Sequence, residues 1–251
     1  LHRLAALPSE PALRFAQPTA WNASAIRIQE HAGYVEVHLR DNDSGAIHRL
    51  RARHVISAMP LHIAARLIAE PARYGLDGSG LYAPWLISNF ALHQFPREPD
   101  EQPLAWDNVL YGSPALGYIA GSNQSIRVAK PPRVLFTAYR ALAHDSPPAV
   151  RQWLLTAPDD ELLAYAAADL HAVYGRHFWR LVDSVDITVR AHAMRIPLPG
   201  YLDDTQLRAL RTHRSRLHFA HSDLSGYSVF EEAAYWGITA AQQVLAAPRE
   251  T

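Results

Sequence analysis

The sequence predicts an α/β protein, and three observations carry that prediction. Short alternating apolar runs separated by turn residues occupy positions 26 to 60. A buried strand, Arg53-His54-Val55-Ile56-Ser57-Ala58, stops at Met59-Pro60 and gives way at once to helical spacing from Leu61 to Ile68. The end of the chain repeats this plan, with a short apolar strand at Leu217-His218-Phe219-Ala220, a polar turn over Ser222 to Tyr227, and a long helix to about Leu245.

The first strands are Ile26-Arg27-Ile28 and Val35-Glu36-Val37-His38-Leu39, with Asp41-Asn42-Asp43-Ser44-Gly45 as a turn, so a β-meander is expected. The stretch from Arg73 to Gly80 reads as a loop. A second sheet is expected from Trp85 to Leu92, Asn108 to Tyr111 and Val134 to Tyr139, with Gly- and Pro-marked turns between them. Helices follow at Pro148 to Leu155 and Asp159 to Tyr174, the latter opened by acidic residues and closed by Gly175. Strand character returns at Ile187 to Arg190. In the last segment Ser228-Val229-Phe230-Glu231 reads as a capping box, and Ala233, Gly237 and Ala241 recur every four residues as a groove of small side chains. Such a groove lets a helix backbone approach something flat.

Composition bounds the function. With 251 residues, 49% of them hydrophobic, the chain can bury one large core or two joined ones. Its 24 basic and 24 acidic side chains cancel, which removes the long-range field a nucleic acid or anionic membrane would need. No apolar run approaches the roughly 18 residues of a membrane span, and the first residues lack the order of a signal peptide, so the cytoplasm is the expected compartment. The absence of cysteine excludes disulfides, thiolate metal sites and a cysteinyl flavin link. His171 and His177 are too far apart to chelate, no helix carries His-x-x-x-His on one face, and no G-x-S-x-G elbow supports hydrolysis. A metal site is not expected.

Two segments resemble the amine-oxidase and phytoene-desaturase superfamily of flavoproteins. Val55-Ile56-Ser57-Ala58-Met59-Pro60 resembles the strand and turn that close that family's meander under the adenosine end of FAD. Leu217 to Leu245, with His218-Phe219-Ala220-His221-Ser222-Asp223, then Phe230-Glu231-Glu232-Ala233 and Trp236-Gly237, resembles its C-terminal flavin motif. The physics of the second segment stands beside the resemblance: a helix N-terminus offers unpaired N–H groups and a positive dipole end to a ring that becomes negative on reduction. The sequence departs from the motif at His221 and Ser222, where glycine and an acid are usual, and at Glu232, which replaces a glycine.

The resemblance implies FAD as cofactor, with Ser57, Ala58, Met59, Pro60, Ser222, Asp223, Glu231, Glu232 and Ala233 at its site. Asp223, or Ser222 through its hydroxyl, is expected to contact the ribityl chain. It implies the C-terminal half of a Rossmann-type FAD domain with an inserted mixed α+β substrate domain: residues 1–72 and 211–251 for the former, 73–210 for the latter. The phosphate-gripping G-x-G-x-x-G is not among the 12 glycines, so the other half of the domain is expected upstream and these residues alone are expected to be inactive. The expected reaction is hydride transfer to flavin from an amine or similar small molecule, with desaturation of an apolar, isoprenoid-like substrate as the alternative. A non-catalytic domain that has lost its cofactor is the rival from another class. Trp106, Asn108, Tyr111 and Tyr201 are substrate-side candidates, and His192 is the candidate catalytic group near the flavin.

Overall fold

The computed structural model describes residues 21–97, 104–124, 129 and 131–247; the N-terminal residues in which no signal peptide is read lie outside them. The chain forms a mixed α/β structure of two compact units. Among the described residues, one holds those from 21 to 78 together with Asp203–Leu224 and those from 230 to 247. The other holds Ser79–Leu202 and Ser225–Val229.

In the first unit β1 (Ala23–Glu30), β2 (Val35–Asp41) and β3 (Ile47–Ala52) form the expected antiparallel meander in the order β1-β2-β3. The turn between β2 and β3 is built by Asp41, whose Oδ1 accepts hydrogen bonds from the N–H groups of Asp43 and Ser44 at 3.1 and 2.7 Å. Next, β4 (Val55–Ser57) runs into α1 (Leu61–Leu67) through Pro60, whose fixed φ suits a helix entry. A parallel bridge between Ile28 and Ile68 ties the helix end back to the meander. Here the sequence expectation of a loop from Arg73 is modified. Pro71–Tyr74 is a 3-10 turn, because the Tyr74 hydroxyl donates to Glu30 Oε2 at 2.6 Å and takes the ring into the core.

The second unit is built on a five-stranded antiparallel sheet of order β6-β7-β8-β5-β9. Its strands are β5 (Tyr82–Leu92), β6 (Asp107–Asn108), β7 (Tyr118–Ala120), β8 (Val134–Ala141) and β9 (Val182–Arg195). Along β5 alternate residues are fully buried, as period-two geometry requires of a strand with one face in a core. Phe90 and Phe136 on the sheet meet Phe178 from the helical layer, and all three are 0% exposed. That layer comprises α2 (Pro147–Leu154), α3 (Asp159–Tyr174) and α4 (Arg176–Leu181).

Two expectations are corrected in this unit. The strand read from Asn108 to Tyr111 ends at Asn108, whose side chain bonds Ala105 N, Ala105 O and Tyr118 O and so turns the chain. The four residues read at Ile187–Arg190 belong to a strand of fourteen, which the exposed polar residues Asp183, Asp186 and Arg190 conceal from pattern reading.

The first unit ends with α5 (Thr205–Thr212), capped by Asp204, then β10 (Leu217–Phe219), a 3-10 turn at Ser222–Leu224, and α6 (Phe230–Ala246). The strand β10 pairs with β4 in parallel, Leu217 opposite Val55 and Phe219 opposite Ser57. The expected capping box is not formed. The Ser228 hydroxyl instead accepts from the Arg195 N–H of β9 at 3.1 Å, and the helix starts at Phe230. Glu231 is thereby left as an exposed acid in the first turn rather than a reciprocal cap.

Candidate functional site

The parallel pairing of β4 with β10 brings the two sequence motifs together. Both strands end at the same level: the Ala220 N–H donates to the Ser57 carbonyl at 2.9 Å, carrying the pair one residue beyond β10. Beyond that level lie Ala58-Met59-Pro60 from one strand and His221-Ser222-Asp223 from the other. Carboxyl ends of parallel strands are where open α/β sheets receive ligands, since helix N-termini and loops converge there.

Asp223 is the best-fixed residue of this group. It is 1% exposed, and its Oδ2 accepts the N–H of Leu61, the first residue of α1, at 2.9 Å. That N–H has no partner within the helix, so the carboxylate satisfies an orphan donor and favours the positive dipole end. The second oxygen lies 3.3 Å from His221 Nδ1, which in turn accepts the Asp223 N–H at 3.0 Å. Asp223 therefore joins the two motifs through the protein itself. Residue spacing could not show this, because the partners lie 162 positions apart.

Ser57 and Ser222 are also buried, at 4% and 6%. The Ser57 hydroxyl oxygen has no hydrogen-bond partner within the described protein. A buried hydroxyl is costly to leave unmet, so an orphan at a strand end is the kind of group that a polar ligand atom satisfies. Ala58 is exposed, Met59 and Pro60 half-buried. On α6, Glu231 and Ala233 are exposed and Glu232 is half-buried; a Cβ added at Gly237 would meet nothing within 4 Å. The small-residue stripe is thus open within this unit. These features fit a flat ligand with polar edges.

The candidates in the second unit are not gathered into one cluster. Asn108 lies in β6 and His192 in β9, at opposite edges of the sheet, so about 19 Å of strand spacing separates them. Asn108 is engaged in its turn, and Trp106 and Tyr111 are exposed, the latter completely. Tyr201 is buried in a 3-10 turn over Gly226, where an added methyl would overlap its ring. The exposed His192 sits at a register shift of β9 opposite Pro84, which has no N–H to offer the ladder, and its ring meets Tyr82 edge-on at 6.1 Å.

Sequence reading missed a polar chain at the other end of the parallel pair. His54 Nδ1 lies 3.1 Å from His218 Nε2, and His218 Nδ1 lies 3.1 Å from Gln243 Oε1. The only signal was a histidine in an otherwise apolar strand. Nearby, burial alone would raise the Glu30 carboxyl, but hydrogen bonds from Tyr74, the Arg216 N–H and Ser215, with the charge of Arg73, hold it below the ordinary value. Among the described residues no group of three or more acidic or histidine side chains could hold a metal ion, and no helix is long and apolar enough to cross a membrane.

A profile of the family described as flavin containing amine oxidoreductase matches residues 16–245. No curated protein matches the sequence significantly. Among solved structures, one named as a UDP-galactopyranose mutase in its reduced form superposes with a TM-score of 0.61 at 14% identity, over 91% of this chain and 48% of that one. A protein assigned as a protoporphyrinogen oxidase from Exiguobacterium sp. 255-15 gives 0.57 at 14% identity, over 90% and 47%. A CLA-producing fatty acid isomerase from P. acnes gives 0.57 at 12%, over 91% and 49%. The chain therefore spans about half the length of these structures, and at such identities the likeness is one of fold. The chain belongs to the flavin-containing amine oxidoreductase family, oxidoreductases whose cofactor is FAD.

Proposed function

We propose that this chain supplies part of the FAD site of an oxidoreductase that takes a hydride from the carbon beside an amine. The observation that carries this is the convergence of Ser57–Pro60 with Ser222–Asp223 at the carboxyl ends of a parallel strand pair, locked by the Asp223 to Leu61 bond. In this proposal β4 with α1 and β10 with α6 are closing strand–helix units of a Rossmann-type domain. Residues 73–210 are then a substrate domain inserted between them. A further segment with a glycine-rich phosphate turn completes the site, since no such turn exists in the sequence.

Bound FAD supplies the two-electron chemistry as acceptor of the hydride. The residues of the chain bind and orient. Ser57 offers its unpartnered hydroxyl, the first turn of α6 offers N–H donors to a negative ring edge, and Ala233 and Gly237 leave space for a flat ring. Asp223 acts as a positioning residue: it fixes the start of α1 against the turn that follows β10. In the second unit, His192 is proposed as the polar group for the substrate, and Trp106, Tyr111, Asn108 and Tyr201 as its aromatic and polar surroundings. The substrate is proposed to be a small molecule.

The test is flavin retention by the protein as its gene encodes it. Purified without added cofactor, it should carry FAD, and Ala233→Trp, at an exposed position, should weaken FAD binding at least tenfold without altering the fold. A well-folded protein that takes up no flavin would overturn the proposal. Equal flavin affinity in the Ala233 variant would remove α6 from the site.

A further inference from the structure

We infer that the connection between β6 and β7 is a strap that opens and closes over α3, held shut by a single latch, the hydrogen bond from Ser113 to Asp169. The two strands pair antiparallel, Asn108 opposite Tyr118, so the chain between them is a hairpin connection. It comprises residues 109–117, longer than the about 2–5 residues that close most hairpins. The strap belongs to the second unit and neither requires nor supports the flavin proposal.

Both ends of the strap are fixed. At one end Leu110 packs against the core of the sheet. At the other, the Leu116 N–H donates to the Tyr139 carbonyl at 3.2 Å, and the Gly117 carbonyl accepts the Tyr139 N–H at 3.1 Å. Gly117 has φ +104°, and a Cβ there would overlap the Asn108 carbonyl oxygen, so only glycine lets the base close. The residues between are held differently. Tyr111, Gly112 and Pro114 are exposed. The Ser113 N–H donates to the Leu110 carbonyl at 3.1 Å and the Ala115 N–H to the Ser113 hydroxyl at 3.0 Å, bonds that stay inside the strap. Among the described residues, one hydrogen bond ties positions 111–115 to the rest of the protein: the Ser113 hydroxyl donates to Asp169 Oδ1 at 2.5 Å.

Asp169 makes the latch reversible. It is 6% exposed on α3, and its second oxygen has no hydrogen-bond partner within the described protein. A hydroxyl that donates to a carboxylate forms a short, strong bond, which favours the closed strap. An unmet buried oxygen is costly, which favours the open one, where water reaches both oxygens. Because the two effects oppose each other, opening costs less than it would if the carboxylate were fully paired, and far less than unfolding the sheet. Gly112, at φ +81° and with nothing within 4 Å of an added Cβ, supplies the pivot. Beside Asp169, the Tyr118 and Tyr174 hydroxyls meet at 3.0 Å. Burial holds the Tyr118 hydroxyl above its ordinary value, the bond with Tyr174 opposing and the charge of Asp169 adding to the rise. The strap thereby governs whether water reaches Asp169 and this pair.

Hydrogen exchange of the protein as its gene encodes it, followed by mass spectrometry of peptides covering residues 109–116, tests the inference. Asp169→Leu removes the acceptor and the unmet oxygen while leaving every bond inside the strap, and should speed exchange there at least tenfold with β5 and β8 unchanged. Ser113→Ala, at a half-buried loop position that the fold tolerates, should open the strap at least as far, and chymotrypsin should then cleave after Tyr111 at least tenfold faster. The double variant should be no more open than Ser113→Ala alone, since both changes break one bond. Unchanged exchange and cleavage in Ser113→Ala, a rise that extends into β5 and β8, or a double variant more open than Ser113→Ala would overturn the latch.

Discussion

Two of the three sheets among the described residues are finished to different degrees. The five-stranded antiparallel sheet of the second unit carries a helical layer and a core in which Phe90, Phe136 and Phe178 are wholly buried. The parallel pair of the first unit has two strands among the described residues. Ile56 in it is 42% exposed, and α6 shows Phe230, Tyr235, Ile238 and Leu245 at 59 to 83% exposure. Antiparallel strands complete themselves through local turns, whereas parallel strands need crossovers and are stable when both faces are covered. Apolar surface of this kind marks a place built to be covered. The segments that bear the flavin resemblance lie in this less finished sheet, which the function proposed above would cover with a ligand.

The largest effect that would sharpen this contrast is loss of a core ring from the finished sheet. Phe136→Ala should destabilise the second unit by about 3–5 kcal/mol, the usual range for truncating a buried phenylalanine. Hydrogen exchange should show lost protection in β5 and β8 while amides of β10 keep theirs. Equal loss in both units would show that they fold as one. Next in size, Asp223→Ala strips the Leu61 N–H of its partner and should cost about 1–3 kcal/mol, with partial recovery in Asp223→Asn, whose amide oxygen still accepts. Chemical denaturation followed by circular dichroism measures both variants; no loss for Asp223→Ala would remove it as the joint between the motifs.

What was legible in the sequence follows the same division. The meander, β5, β8 and α3 were readable because their apolar periods and turn residues are local. The edge strand β9 was mostly hidden, since its exposed positions carry charge and its pairing partner supplies the order. The flavin resemblance was readable from two short segments. Their joining through Asp223 was not, because a hydrogen bond across 162 residues leaves no periodic trace. Ser228 shows the opposite case: a sound local signal for a cap was overridden when Arg195, 33 residues away, claimed the hydroxyl.

A smaller effect should appear with pH. The Glu30 carboxyl sits below the ordinary value of 4.5, burial opposing the shift and its hydrogen bonds and Arg73 prevailing. The unfolded chain therefore takes up this proton at higher pH than the folded one. The resulting stability is complete above about pH 4.5 and is lost as pH falls through the lower folded value. Melting temperatures should decline over that window, less so in Glu30→Gln; an identical slope in the variant would assign the decline to other carboxylates. Smallest of all, Glu231→Ala should cost only about 0.3–1 kcal/mol, the scale of a dipole interaction at an exposed first turn. A loss beyond 2 kcal/mol would restore the capping role that the structure withholds.

The central claim is that residues 57–60 and 222–233 contribute to an FAD site, and photometry of the purified protein as its gene encodes it tests this most directly. A flavin absorption band that co-elutes with the protein, is bleached by reduction and is lost in Ala233→Trp is the predicted result. A colourless, folded protein that remains colourless after incubation with FAD would contradict it.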